Sequence, residues 1–166
     1  MPESVLGLPV HPLVVHAAVV LIPLSSILTI VIAASPDRRA RLGWLVWLLS
    51  SGGLVSCFVA ISSGEVLQSE LYPDGVPVAV TNHESFGRTV LWFAAALWLS
   101  VTALLLLDLN RRRHTGVGSP VLPTVVAVVA ILAAMAATGQ VLVTGWTGTE
   151  NRWSGVVQSL EGADHA

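Results

Sequence analysis

The stretch His11-Pro12-Leu13-Val14-Val15-His16-Ala17-Ala18-Val19-Val20-Leu21-Ile22-Pro23, continuing without a break in character to Ala34, contains no Asp, Glu, Lys or Arg. Its charge-free interval runs from Glu3 to Asp37, and three more follow: Arg41 to Glu65, Arg88 to Asp108, and Arg113 to Glu150. Each is long enough for the roughly 20 apolar residues that cross a bilayer core. The spans predicted from these gaps are 12–34, 43–63, 89–107 and 122–144. They make residues 1–166 a single all-α domain, an integral membrane four-helix up-down bundle.

Composition agrees. Of the 166 residues, 54% are hydrophobic and 11% charged, against about a quarter charged in an ordinary soluble domain. All eight basic residues are arginine, and the formal net charge is −2, so no basic face exists for nucleic acid. A single cysteine, Cys57, excludes an internal disulfide and any cysteine-rich metal site. The only charge before the first span is Glu3, so that span reads as a helix of the protein and not as a secretory leader.

The arginines orient the bundle. Arg38, Arg39 and Arg41 fall in the first connection, and Arg111, Arg112 and Arg113 in the third. The positive-inside rule puts those two connections in the cytoplasm and both termini outside, in a cell membrane. The first and third connections, 35–42 and 110–120, read as tight turns between antiparallel neighbours. In the outer loop, Thr81-Asn82-His83-Glu84 has the spacing of a capping box and predicts a helix start at Thr81. Val66, Leu67 and Leu71 predict an extension of the second helix, and the last dozen residues read as a loose tail. Ser50-Ser51-Gly52-Gly53 and the series Ala130, Ala134, Thr138 predict close helix packing.

Five histidines need explaining. His11 precedes Pro12, which disfavours helical geometry at His11 and predicts a residue at the mouth of the bundle. His16 lies about 7.5 Å deeper by helix rise, with its ring expected to face inward, and His83 falls in the first turn of the third helix. An ionisable side chain within a span is a functional hypothesis by default. His16 and His83 are therefore candidate axial ligands of a haem or a metal, with His11, Glu65 and Glu84 as further candidate metal ligands. Arg88 and Gln140 are candidate supporting residues, Gln140 by hydrogen bonding to His16. The structural alternative is that the histidines serve backbone carbonyls and Glu84 neutralises Arg88 across one helical turn. His114 sits among arginines and His165 in the tail. Trp146, Trp153 and Tyr72 read as interfacial aromatics. No Gly-x-Ser-x-Gly elbow, phosphate loop, His-Glu-x-x-His or paired-cysteine motif occurs, so no enzymatic activity is expected.

The element His11-Pro12-Leu13-Val14-Val15-His16 resembles the opening HPLLVHFPIAL of the bacterial four-helix membrane family catalogued as domain of unknown function 2231. His83-Glu84-Ser85-Phe86-Gly87 resembles that family's His-Glu-x-x-Gly element at the third helix. The stretch from Thr144 to Glu150 is similar to the pattern that ends its fourth. The resemblance implies the four-helix membrane fold and no established activity. Some members stand beside Rieske or cytochrome modules, which implies a redox setting. Trp146 occupies the place where the family pattern has a further histidine.

Two roles remain open. One is an accessory or structural subunit of a membrane assembly, with a respiratory or redox assembly as one form of it, and with the lipid bilayer, other membrane subunits or a second copy of the chain as partners. The alternative is an electron-transfer protein with one histidine-ligated centre at the outer face, at most one haem b or one zinc, copper or iron ion.

Overall fold

The computed structural model describes the backbone of residues 4–5, 8–113 and 121–163, and the side chains of residues 10–112 and 121–149. Four helices carry the fold: α1 (Val10–Ala33), α2 (Pro36–Leu71), α3 (Val78–Arg113) and α4 (Val121–Ala163). All four contain segments long and apolar enough to cross a membrane. A minimal antiparallel ladder precedes them, in which Ser4–Val5 (β1) faces Leu8–Pro9 (β2). Nothing in the alternation of the sequence announced this hairpin. His114, His165 and the side chains of Trp153 and the tail acids lie outside the described residues.

The helices extend well past the predicted spans. At 1.5 Å per residue, the 36 residues of α2 reach about 54 Å, against a hydrocarbon core of roughly 30 Å. The first connection is therefore not the loop 35–42. It narrows to Ala34 and Ser35, because Ser35-Pro36-Asp37 is a helix start. The Ser35 hydroxyl accepts from the Arg38 N–H at 3.4 Å, Pro36 occupies the first turn, and Asp37 faces the N-terminal dipole. The capping box expected at Thr81 does not form either. Pro77, with its fixed φ, starts α3 one turn earlier, and its carbonyl accepts from the N–H groups of Val80 and Thr81. Thr81 is thus already inside the helix, and its hydroxyl donates to Pro77 O. Where a loose tail was expected, α4 continues as far as Ala163.

Neighbours in sequence are neighbours in space. α1 packs on α2 and α4, and α3 packs on α2 and α4, while the diagonal pair α1–α3 barely touches. Each adjacent pair runs antiparallel. Trp47 of α2 donates to Thr102 of α3 at 3.2 Å, and one turn further along α2, Ser51 accepts from Trp98 at 2.8 Å. The two hydroxyls pass their own hydrogens to Trp98 O and Trp47 O respectively, so both indole N–H groups and both hydroxyls are satisfied within one knot. The indole rings sit 6.4 Å apart, tilted by 43°.

Small residues bring the backbones together. Gly52 and Gly53 of α2 face Leu21 and Ile22 of α1, as the Ser-Ser-Gly-Gly run suggested. On α4 the buried small residues are Ala130, Ala134 and Ala137, with Thr138 only half-buried. The core is completed by Ile22, Ile32, Val46, Leu97, Val101 and Leu104. Two buried hydroxyls of α1 cost little because they bond within their own helix: Ser25 donates to Ile22 O and Thr29 to Ser25 O, while the buried Ser26 hydroxyl has no partner among the described residues. Leu, Val and Trp side chains cover the outside of the bundle instead, as a lipid-facing surface requires.

Candidate functional site

At the end of the bundle opposite the arginine-rich turns, all four helices surround a cavity of about 300 Å³, the lower end of the size range of small-molecule sites. Its floor is apolar, formed by Val15 and Ala18 of α1, Cys57 of α2, Val90 of α3 and Val141 of α4. Its rim is polar and includes His11, Glu65, Gln68, His83, Glu84 and Arg88.

His11 is the second residue of α1 and is helical, contrary to the expectation from Pro12. Proline is tolerated in a first turn, where its missing N–H would have no intrahelical partner. The ring crosses to α2, where Nδ1 lies 2.8 Å from Ala60 O. A carbonyl can only accept, so Nδ1 carries a hydrogen, and in the neutral ring Nε2 keeps its lone pair. Gly64 makes room for this ring. A methyl group built there would stand 3.0 Å from Cε1 and Nδ1 of His11.

His83, one turn into α3, is half-buried and seated in the same way against α4. Its Nδ1 lies 3.4 Å from the Thr147 hydroxyl, and the Thr144 carbonyl faces the same ring. Thr147 is placed to donate its one hydrogen to Thr144 O at 2.9 Å, and in that arrangement its oxygen accepts from His83 Nδ1–H. A methyl at Gly148 would come within 3.1 Å of His83 Cε1. The two imidazoles, from diagonally opposed helices, line the same cavity.

The rim beside them is an ion-pair network. Arg88 bridges Glu65 of α2 and Glu84 of its own helix, the latter at 2.9 Å, and Gln68 donates to the other Glu84 oxygen at 3.3 Å. The pairing of Glu84 with Arg88 was legible from their spacing, whereas the participation of Glu65 and Gln68 came only with the fold. These carboxylates are thereby engaged by a guanidinium. Among the described residues no group of three His, Cys, Asp or Glu side chains could hold a metal ion.

His16 and Gln140 do not join the cavity. The ring of His16 is exposed on the outer surface of α1, with Nδ1 beside Pro12 O in its own helix, and the inward orientation expected of it is not found. Five residues at 3.6 per turn rotate it about 140° away from His11, so only one of the two can face the bundle interior. Gln140 donates to Phe86 O at 3.3 Å and ties α4 to α3; it does not bond His16. Trp146 points outward, 72% exposed, and Tyr72 lines the cavity. The contributors that the residue pattern did not single out are the Ala60 carbonyl, Thr144, Thr147, Gly64 and Gly148.

Four apolar helices around one polar-rimmed cavity define a multi-pass membrane protein. Over residues 7–161 the chain matches the family described as predicted membrane protein, domain of unknown function 2231, and it belongs to that family. No curated protein and no solved structure was found to match it.

Proposed function

We propose that the protein is a small subunit of a membrane assembly that carries one imidazole-ligated centre, a b-type haem or a single zinc, copper or iron ion, at the extracytoplasmic end of its bundle. The observation that carries this reading is the matched pair of histidines. His11 and His83 each give Nδ1 to an oxygen acceptor, which leaves two Nε2 lone pairs at one cavity. Histidines that ligate metals are held in this way, because the second hydrogen bond fixes the tautomer and raises ligand basicity. The distribution of arginines supports placing this end outside. The outward position of Trp146 means that a centre in the cavity does not need a ligand from that position.

Metal analysis and a visible spectrum of the detergent-purified protein test the proposal. A stoichiometric metal or a Soret band, abolished by His83→Ala and retained in His16→Ala and His114→Ala, is the expected result. Protein with neither a Soret band nor stoichiometric zinc, copper or iron would overturn it.

A second reading is favoured by the same contacts. Both histidines already have protein partners, so they can serve helix docking in a subunit without a cofactor. The outward face of α4, with Val125, Val128, Leu132, Met135 and Leu142 exposed, would then meet lipid or another subunit. On this reading His83→Ala loosens assembly on a native gel and leaves no spectroscopic trace.

A further inference from the structure

Resting on the two-histidine reading, we infer that the group held is an iron porphyrin of b type, with His11 and His83 as its two axial ligands and Thr147 as a positioning residue for His83.

The choice between a porphyrin and a bare ion follows from what each needs. Zn²⁺, Cu²⁺ and iron ions take four or more ligands, and among the described residues the cavity brings only two imidazoles free of an ion pair. The remaining ligands would be water, in a cavity floored by Val15, Ala18, Val90 and Val141, where a poorly ligated charge is costly. A porphyrin brings four nitrogens of its own and asks the protein for two axial groups. Its large apolar ring gains from the same walls that penalise a bare ion.

The helix arrangement is the one such a ring requires. The histidines come from α1 and α3, the diagonal pair, so they approach from opposite sides of the bundle axis, where bundle proteins build cofactor sites. The flanking helices α2 and α4 present Gly64 and Gly148 beside the two imidazoles. Each imidazole packs directly on its glycine, where any side chain would displace it.

Thr147 acts through His83. Its hydroxyl hydrogen is committed to Thr144 O, so the oxygen accepts from Nδ1–H and presents Nε2 as the ligating nitrogen. Thr147→Val removes this acceptor at nearly constant shape, whereas Thr147→Ser keeps it.

The test uses the full-length protein in detergent, titrated with hemin and, separately, with Zn²⁺ and Cu²⁺. The expected result is one-to-one hemin uptake with the low-spin spectrum of two imidazole ligands. His11→Gly and His83→Gly should each lose the low-spin form, and added imidazole should restore it, which shows that the cavity is intact. His16→Ala should leave the spectrum unchanged. Thr147→Val should weaken uptake by about 10- to 100-fold and shift the reduction potential, with Thr147→Ser near the parent on both. Stoichiometric zinc or copper without hemin uptake would overturn the porphyrin inference while leaving the two-histidine reading standing. Hemin uptake indifferent to both histidine variants would likewise overturn it. Uptake of none of the three would sink both. An unchanged affinity and potential in Thr147→Val would overturn the role given to Thr147.

Discussion

Arg39 of α2 and Asp108 of α3 meet at 4.0 Å beneath the arginine-rich end of the bundle, with Arg39 only 8% exposed. The same guanidinium donates to the last carbonyls of α1, Ile32 O at 3.1 Å and Ala33 O at 3.2 Å. One side chain therefore closes the C-terminus of α1, spans the two-residue connection and anchors α3. Arg112 holds the other Asp108 oxygen at 2.9 Å from the exposed side.

This asymmetry separates two substitutions. Asp108→Asn leaves the buried Arg39 charge with carbonyl partners alone and is expected to cost about 3 kcal/mol of stability. Arg112→Met breaks an exposed pair one turn apart and should cost less than about 1 kcal/mol. Thermal unfolding in detergent measures both, and equal losses would contradict the burial argument.

Gly64 and Gly139 give a second contrast. Gly64→Ala pushes against the His11 ring and should cost about 1 kcal/mol through the Ala60 hydrogen bond, together with weaker ligand uptake at the cavity. A Cβ at Gly139 meets nothing within 4 Å, so Gly139→Ala should instead stabilise α4 by up to about 1 kcal/mol. Melting curves of the two variants should move in opposite directions.

The Trp47–Trp98 knot should behave as a unit. Ser51→Ala and Thr102→Val each leave one indole N–H without its acceptor, at about 1–2 kcal/mol each. Because the rings share one cluster, the double variant should cost less than the two singles added. Strict additivity in a double-mutant cycle would show that the two hydrogen bonds are independent.

Orientation is testable with single cysteines in place of Ser69 and Ser119. An impermeant thiol reagent on intact cells should label position 69 and spare position 119. Cys57 is buried in the bundle and contributes no background. The reverse pattern would invert the topology.

The spans were legible because lipid punishes charge, so the four gaps between charged residues mark four helices directly. Helix ends were less legible. Ser35-Pro36-Asp37 and Pro77 start helices outside the apolar intervals, where hydropathy is silent and local backbone chemistry decides. At the site, the shared end of His11 and His83 followed from antiparallel threading. The error over His16 came from counting depth along the helix and neglecting angle around it. The acceptors for both imidazoles could not be read, because a carbonyl such as that of Ala60 has no signature in sequence and Thr147 resembles any small helix-packing residue.

The hairpin that pairs Val5 with Leu8 ends at Pro9, and His11 follows as the second residue of α1. An oligohistidine handle fused at the N-terminus would thus bring foreign imidazoles to the lip of the cavity, where they could compete for whatever His11 and His83 hold. At the other terminus α4 continues from Gly148 to Ala163, roughly 22 Å of helix. Purification through a handle at that far end, or through one without histidine, keeps the protein's own ligands as the ones being measured.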